Sequence, residues 1–311
     1  MRYKLRPLEP TTASVFLEMA GLRFDQICGD DTAEIAGENY FGSLSDAQPG
    51  MVVFARSDGN RATENMVELL NNCRASLILA DPVYGNCTEP KPRQTIAFMG
   101  NPQLAFIRLF QKSIIEYNPG FFTMSEISPT CTVGPNVQIE RGAVIGNGVS
   151  FLGNNYIAAN VRLGDGVEIL PGANIGCEGF GYVRDDDGSL INFPHLGGVI
   201  IEDNVTVGAG SCIDRGNFGD TILKEGCKLD DLVYIAHNAI IGRHSMICAH
   251  VSVAGAAKVG EFCRIAPSST IRDGVEIGDK TLIGIGSCVV KNIPGGKIAY
   301  GVPARIISNR E

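Results

Sequence analysis

The side chains of this chain that are best suited to proton transfer are its four histidines, at positions 195, 237, 244 and 250. Imidazole exchanges a proton near neutral pH, so a positioned histidine can act as a general base. His237 comes near the end of the stretch LKEGCKLDDLVYIAHN, in which Asp230 and Asp231 form an acid-rich turn, and Asp220 precedes the stretch. A carboxylate near an imidazole favours its charged form. We therefore predict His237 as a catalytic base and Asp220 or Asp230 as the carboxylate that orients it.

These residues belong to a long array in which an aliphatic residue returns every six positions. The period runs from Ile127 to Ile175, resumes at Ile201, and runs again from Leu223 to Val289. Six residues fit neither the 3.6-residue period of a helix nor the two-residue period of a strand. The repeat is typical of a hexapeptide β-helix with three hexads in each triangular coil, and it resembles the left-handed parallel β-helix. The sequence therefore predicts a mainly β solenoid with stacked aliphatic side chains inside.

Three histidines within fourteen residues, His237, His244 and His250, also suggest a zinc site. In the predicted solenoid, however, each hexad forms one face of the triangle. The three imidazoles then lie on three consecutive faces and point apart. They cannot converge on one ion within a subunit, so we predict no metal.

Two interruptions of the period are predicted to carry function. Residues 176–198 (GCEGFGYVRDDDGSLINFPHLGG) are too long and too polar for a coil and are predicted as an excursion loop. The second interruption, residues 214–221 (DRGNFGDT), comes directly before the stretch that contains His237. Long ordered loops on a rigid scaffold often supply binding and catalytic residues.

The first part of the chain lacks the six-residue period. Apolar spacing at residues 14–21 and 103–116 predicts helices, and apolar runs at 50–55, 75–80 and 95–99 predict buried strands. This alternation indicates a small α/β domain. The predicted organisation is an α/β domain over residues 1–122, a β-helix over 123–294 and a C-terminal cap over 295–311.

Composition excludes several classes of function. The net charge is −8 and there is no run of Lys or Arg, which argues against nucleic acid as a partner. No segment has 18 consecutive apolar residues and the N-terminus lacks a signal-peptide core, so we expect a cytoplasmic protein without a transmembrane span. The ten cysteines include no CxxC pair. Reduced cysteines used as small apolar side chains are the preferred interpretation, and a disulfide or zinc framework is the alternative.

Residues 176–242 resemble the UDP-3-O-acylglucosamine N-acyltransferases of lipid A biosynthesis. In that family a G-x-x-GFGY loop, an IDRG turn and an IAHN histidine occur in this order and at similar spacing. The first domain is also similar to the family's uridine-binding domain, in FGSLSDAQPGMVVFARSDGNRATENMVELLNNCRASLILADP and NPQLAFIRL. The resemblance implies a homotrimer with active sites between subunits. It also implies that His237 takes a proton from a sugar amine as the amine attacks an acyl thioester.

The resemblance further implies which residues bind substrates. The family's uracil site reads F-x-x-N-x-x-Y, and the matching positions here are Phe54, Ser57 and Asn60. The residues implied to bind the nucleotide-linked amino sugar are Phe54, Ser57, Asn60, Gly179, Phe180, Tyr182, His195 and Asn238. Gly255 and Arg305 are implied to contact the acyl donor. Arg305 lies in an ending, VVKNIPGGKIAYGVPARIISNRE, that resembles hexapeptide acetyltransferases using acyl-CoA; the alternative is a cap over the last coil.

Two versions of the activity stay open, both without a tightly bound cofactor. Ser57, Asn60, the ending, and Gly274 in place of a second family histidine favour an acyl-CoA-dependent N-acyltransferase that modifies a sugar nucleotide for O-antigen or capsule. The alternative is UDP-3-O-(3-hydroxyacyl)glucosamine N-acyltransferase of lipid A biosynthesis, with acyl carrier protein as donor and partner. A non-catalytic scaffold that binds a nucleotide sugar is the rival from another class.

Overall fold

The computed structural model describes residues 3–5, 8–19, 21–30, 32–37, 40–57, 62–117 and 127–310. The chain forms two compact units. The α/β unit comprises residues 3–117 and 181–194, and the solenoid unit comprises residues 118–180 and 195–311 with the first two residues. The predicted domain boundary at residue 122 lies outside the described residues. The predicted excursion loop is divided, because its central residues 181–194 belong to the α/β unit.

The α/β unit begins with alternating short strands and helices. They are β1 (Tyr3–Leu5), β2 (Leu8–Thr12), α1 (Ala13–Met19), β3 (Gln26–Gly29), β4 (Glu34–Gly37), β5 (Val52–Ala55), α2 (Glu64–Asn72), β6 (Leu77–Ala80), a 3-10 turn (Pro82–Tyr84), β7 (Thr95–Phe98), α3 (Pro102–Ser113) and β8 (Ile114–Tyr117). Strands β5, β6 and β7 are parallel, and β3 pairs antiparallel with β7. Every residue of β6 and β7 is buried, as expected for strands covered on both faces.

The sequence of α3 explains where this helix begins and which side of it is buried. Asn101 caps it by accepting a hydrogen bond from the Leu104 N–H at 3.1 Å, and Pro102 occupies the first turn, where no N–H partner is needed. On its apolar side, Phe106 and Phe110 pack edge-on against Phe41. The three predicted strands correspond to β5, β6 and β7, and the two predicted helices correspond to α1 and α3. The helix predicted over 103–116 is too long, because α3 ends at Ser113 and residues 114–117 form β8.

The solenoid unit and the loop inserted in it contain the remaining strands. They are β9 (Thr132–Val133), β10 (Gln138–Ile139), β11 (Val144–Ile145), β12 (Ser150–Phe151), β13 (Tyr156–Ile157), β14 (Val161–Leu163), β15 (Glu168–Ile169), β16 (Asn174–Cys177), β17 (Tyr182–Arg184), β18 (Leu190–Asn192), β19 (Val199–Ile201), β20 (Thr206–Val207), β21 (Cys212–Asp214), β22 (Thr221–Leu223), β23 (Lys228–Leu229), β24 (Tyr234–Ile235), β25 (Ile240–Ile241), β26 (Met246–Ile247), β27 (Ser252–Val253), β28 (Lys258–Val259), β29 (Arg264–Ile265), β30 (Thr270–Ile271), β31 (Glu276–Ile277), β32 (Leu282–Ile283), β33 (Cys288–Val289), β34 (Lys297–Gly301) and β35 (Ala304–Asn309). Strands β17 and β18 form an antiparallel hairpin that belongs to the α/β unit, where Asp185 pairs with Arg108 of α3.

The other strands form three parallel sheets that are the sides of a triangular solenoid. The first side begins with β9, the second with β10 and the third with β11, and the chain visits them in rotation up to β33. Strand β34 then rejoins the first side, and β35 pairs antiparallel with it. The aliphatic residues of the six-residue period face inward. They stack in register on neighbouring coils, as Ile213, Ile235 and Val253 do. From Phe151 onward they are buried, whereas Ile127, Val133 and Ile145 at the start of the solenoid are partly buried. The predicted mainly β solenoid after a small α/β domain is confirmed.

One corner of the triangle, which we call the 2–3 corner, joins the second side to the third. Both predicted interruptions lie here, after β16 and after β21, and His237 follows β24 at the same corner. His244 lies between the third and first sides, and His250 lies between the first and second sides. The three histidines are therefore at three different corners, as the face count predicts. The part of the chain that the structure describes contains no cluster of three or more metal-binding side chains.

The cysteines and helices bear on two further expectations. None of the ten cysteines forms a disulfide in the described structure, and Cys227 and Cys263 fill buried positions inside the solenoid. Within the described ranges, no helix combines the length and the apolar character needed to cross a bilayer.

Candidate active site

His237 is held in one orientation by its neighbours. Its carbonyl accepts a hydrogen bond from the Ala256 N–H of the next coil at 2.8 Å. Its Nδ1 lies 3.2 Å from the side-chain oxygen Oδ1 of Asn238. An amide oxygen only accepts, so Nδ1 carries the proton and Nε2 keeps its lone pair. The geometry therefore presents the imidazole as a base through Nε2.

The amide of Asn238 is itself fixed at both ends. Its Oδ1 accepts from the Asn217 N–H at 2.9 Å, and its Nδ2 donates to the Gly219 carbonyl at 3.1 Å. These two contacts define which end of the amide is oxygen. Asn238 has φ 60°, a left-handed conformation that asparagine tolerates, and its N–H donates to the Thr221 hydroxyl at 2.9 Å. The loop of residues 215–220 thus sets the tautomer of His237.

Gly255 borders the imidazole on the following coil. A Cβ built there would lie 2.5 Å from Cε1 and 2.6 Å from Nε2 of His237, so the imidazole packs directly on Gly255 and a larger residue would displace it. The Gly255 N–H has no hydrogen-bond acceptor among the described residues. A free N–H donor therefore lies next to the base. The predicted donor-site residue Gly255 and the predicted base His237 are in contact.

His195 forms a further wall of the site. It is 1% exposed, and its ring centroid lies 5.3 Å from that of His237. Gly179 packs against it, because a Cβ there would lie 2.7 Å from the His195 Nε2. The Gly197 N–H donates to the Gly216 carbonyl at 3.0 Å, which joins the end of the first loop to the second. His195 and Gly179, both predicted to bind substrate, are thus brought to the His237 corner.

A buried carboxylate at this corner, Asp214, was missed by the sequence analysis. It ends β21 on the coil before His237, is 4% exposed, and its Oδ2 accepts from the Tyr234 hydroxyl at 2.6 Å. Burial raises the pKa of Asp214 above its usual range, and the hydrogen bonds of Tyr234 and Cys212 and the charge of His237 act against that rise. Burial, together with the Asp214 carboxylate, also raises the pKa of the Tyr234 phenol.

The two carboxylates predicted to orient His237 are placed elsewhere. Asp220 accepts a hydrogen bond from the Gly198 N–H at 2.7 Å and so shapes the junction of the two loops. Asp230 lies between the first and second sides and accepts from the N–H groups of Asp231 and Ala249. Both carboxylates accept hydrogen bonds from backbone N–H groups, and neither is hydrogen-bonded to the His237 ring in the described part of the chain. Asp230 points away from His237 because it lies at the corner between the first and second sides, and different corners of the triangle point in different directions.

Several of the residues predicted to bind the nucleotide-linked sugar belong to the α/β unit. Phe54 packs against Phe106 and Phe193, with ring centroids 5.1 and 5.9 Å away. The Ser57 hydroxyl donates to the Asp81 carboxylate at 2.6 Å. Tyr182 is an exposed residue of the β17–β18 hairpin. Asn60 lies outside the described residues.

The last predicted residues lie at the surface of the solenoid unit. Phe180 is 83% exposed. Arg305 is exposed on β35 and donates to the Ala304 carbonyl. Because β35 ends the first side, Arg305 lies on the side of the triangle opposite the 2–3 corner. Within one chain the structure therefore does not bring Arg305 to His237.

Comparison with known proteins places this site in a family. The model of the bacterial transferase hexapeptide (six repeats) matches residues 220–255. UDP-3-O-acylglucosamine N-acyltransferase of Caulobacter sp. strain K31 is 38% identical over 49% of this chain and 44% of its own. The enzyme of the same name from Wolinella succinogenes is 37% identical over 56% and 49%. In these two alignments the chain spans about half the length of its relatives.

Two further similarities extend this result. A solved structure, the UDP-N-acetylglucosamine acyltransferase of Francisella novicida, shares the fold with a TM-score of 0.53, at 18% identity over 58% of this chain and 65% of that chain. UDP-3-O-acylglucosamine N-acyltransferase of Coxiella burnetii is 31% identical over 86% of this chain and 83% of its own. Because that similarity covers most of both chains, the protein belongs to the family of UDP-3-O-acylglucosamine N-acyltransferases.

Proposed function

We propose that the protein is an N-acyltransferase that moves an acyl group from a thioester to the amino group of UDP-3-O-acylglucosamine, a step of lipid A biosynthesis. The observation that carries the proposal is a single constellation: His237 with Nδ1 on Asn238, Nε2 open, and the Gly255 N–H beside it. The names of the relatives favour this acceptor over the sugar of an O-antigen or capsule, which the sequence analysis preferred. The lipid A enzyme, its alternative, is therefore the version we propose.

The proposed reaction assigns each proton movement to one of these groups. The amine attacks the thioester carbonyl, and Nε2 of His237 takes the proton that the new C–N bond releases. The carbonyl oxygen becomes an oxyanion, which can accept the hydrogen bond of the Gly255 N–H. When the tetrahedral intermediate collapses, the C–S bond breaks and the imidazolium returns its proton to the leaving sulfur. An amide and a free thiol result, and His237 is neutral again.

The donor and the assembly are parts of the same proposal. We infer that the donor is acyl carrier protein rather than acyl-CoA, and that the chain works as a cytoplasmic homotrimer. Turnover with each thioester in separate assays distinguishes the donors. Light scattering after size-exclusion chromatography gives the mass of the assembly, and a monomer of 33.1 kDa would contradict the trimer.

The experiment that tests the base is His237→Ala in the full chain. We expect turnover on UDP-3-O-acylglucosamine to fall by roughly two to four orders of magnitude, with the melting temperature retained. His250→Ala is the matched control, because His250 is an exposed histidine at another corner with a similar φ of 59°, and it should keep full turnover. Equal turnover of His237→Ala and wild type would exclude His237 as the base. A wild-type protein that acylates other sugar nucleotides from acyl-CoA, and not this acceptor, would restore the O-antigen or capsule interpretation.

A further inference from the structure

The 2–3 corner contains a buried carboxylate that the reaction above does not use. Ile213 pairs with Ile235 in register, so Asp214 lies on the coil below Ala236, the residue before His237. Tyr234 stacks on Cys212 in the same pair of strands and directs its hydroxyl to Asp214 at 2.6 Å. Burying a carboxylate is costly unless strong donors or a positive charge compensate. The surroundings of Asp214 therefore indicate its role.

An equivalent pair elsewhere in the solenoid shows what a purely structural carboxylate receives. Glu140 follows Ile139 on the second side as Asp214 follows Ile213, and it is 1% exposed. One of its oxygens accepts from the Tyr156 hydroxyl at 2.5 Å, and the other accepts from the Ala159 N–H at 2.9 Å. Two strong donors satisfy Glu140 fully. The coil above it has alanine and asparagine at this corner, and no histidine.

Asp214 differs in its second oxygen. Among the described residues, Oδ1 receives the thiol of Cys212 at 3.7 Å, and a thiol is a weak donor. Its position supplies a further partner, because Asp214 lies one coil below Ala236, the residue before His237. The charge of His237 lowers the pKa of this carboxylate, against the effect of burial. Asp214 is thus a buried carboxylate with one strong donor, at the corner of the proposed base.

We propose that Asp214, held by Tyr234, is a positioning residue that stabilises the imidazolium formed when His237 takes the proton of the attacking amine. The inference rests on the proposed role of His237. A nearby negative charge favours the protonated imidazole. The imidazolium exists only after proton transfer begins. The interaction is therefore stronger in the transition state than in the ground state, and it accelerates the chemical step.

Other titratable or charged groups lie at the same corner. The first loop contributes His195, at 5.3 Å between ring centroids, and Glu178 next to Gly179. Arg215 follows Asp214 and is buried, with its Nε donating to the Gly176 carbonyl. Asp220 is bonded to the Gly198 N–H. These groups remain in a variant of Asp214, so a matched comparison isolates the contribution of that carboxylate.

Asp214→Asn in the full chain tests the proposal. The amide keeps an oxygen for the Tyr234 hydroxyl and removes the charge. We expect kcat to fall about tenfold, with KM within about twofold. Glu140→Gln removes the same charge from the structural pair, and it should change neither quantity.

Tyr234→Phe is the second variant and keeps Asp214 itself. Without the phenol, Asp214 takes up a proton at higher pH, so kcat should fall more at pH 5.5 than at pH 8. A loss that is equal at every pH, or an Asp214→Asn kcat that matches that of Glu140→Gln, would overturn the proposal. Wild-type turnover is measured first, and a wild type that fails to acylate UDP-3-O-acylglucosamine would contradict the proposed function. An active wild type with an equally active Asp214→Asn variant would contradict only the role of Asp214.

Discussion

His237 and His244 lie within one coil of the same solenoid, but at corners of different construction. The 3–1 corner, between the third and first sides, has tight turns tied from coil to coil by carboxylates, as when Asp165 accepts from the Asn147 N–H at 2.7 Å. His244 is exposed there and packs on Phe262. At the 2–3 corner, two loops replace the tight turns and enclose His237 with a histidine, an amide and a carboxylate. The repeat therefore has a histidine at each corner, and only His237, the one we propose as the base, lies beside the loops.

The strongest test of this contrast is to displace the His237 ring by adding a methyl group at Gly255. Gly255→Ala puts a methyl group within contact distance of both Cε1 and Nε2, so we expect kcat/KM to fall about a hundredfold or more through misplacement of the reacting groups. Steady-state kinetics measure the loss, and the melting temperature reports whether the solenoid persists. Turnover near the wild-type value would show that the amine does not approach from this side.

A second test removes the hydrogen bond between the His237 ring and the Asn238 side chain, a contact that the 3–1 corner lacks. Asn238→Ala deletes the acceptor of Nδ1, so the imidazole loses its fixed tautomer, and we expect kcat to fall about tenfold. Asn204→Ala is the control, because Asn204 is left-handed with φ 57° at the corner without a base. Both variants carry the same backbone strain. Equal kinetics of the two would show that the Asn238 side chain has no part in the reaction.

The smallest expected effect concerns stability. Because burial raises the pKa of Asp214 in the folded state, its contribution to stability is present at low pH and is lost as pH rises through that raised value. Asp214→Asn has no such dependence. Its melting temperature should exceed that of wild type by about 1–3 °C at pH 8, and the difference should vanish towards pH 4. A variant that is less stable at pH 8 would mean that the ionised carboxylate stabilises the fold.

The hexad period was sufficient to predict the solenoid because every inward position, such as Ile235, is read directly from the sequence. The same count separated His237 from His244 and His250. It failed for the carboxylate, since a step of 18 residues back from His237 ends near Asp220. The loop of residues 215–220 lengthens this coil, and the true neighbour of Ala236 is Asp214. Counting coils by aligning Ile213 with Ile235, rather than counting residues, would have found it.

Other features had no signal in the sequence. The break of the period at residues 176–198 predicts that a coil is interrupted, but it does not indicate that residues 181–194 fold as a hairpin with the α/β unit. Phe54 matched a family pattern, but which rings it packs on depends on Phe106 and Phe193, which are distant in the chain. Such contacts follow from tertiary packing, which local composition does not encode.

The inward residues of the strands beside the loops stay aligned: Leu163 with Ile201, and Ile175 with Ile213, with a register shift only after Ile175. An insertion at this corner therefore changes the length of the chain without shifting any inward residue out of alignment. Evolution can lengthen, shorten or exchange these loops while the hydrophobic interior stays under separate selection. Relatives with different acceptors can then arise from one scaffold by changes confined to a single edge of the prism.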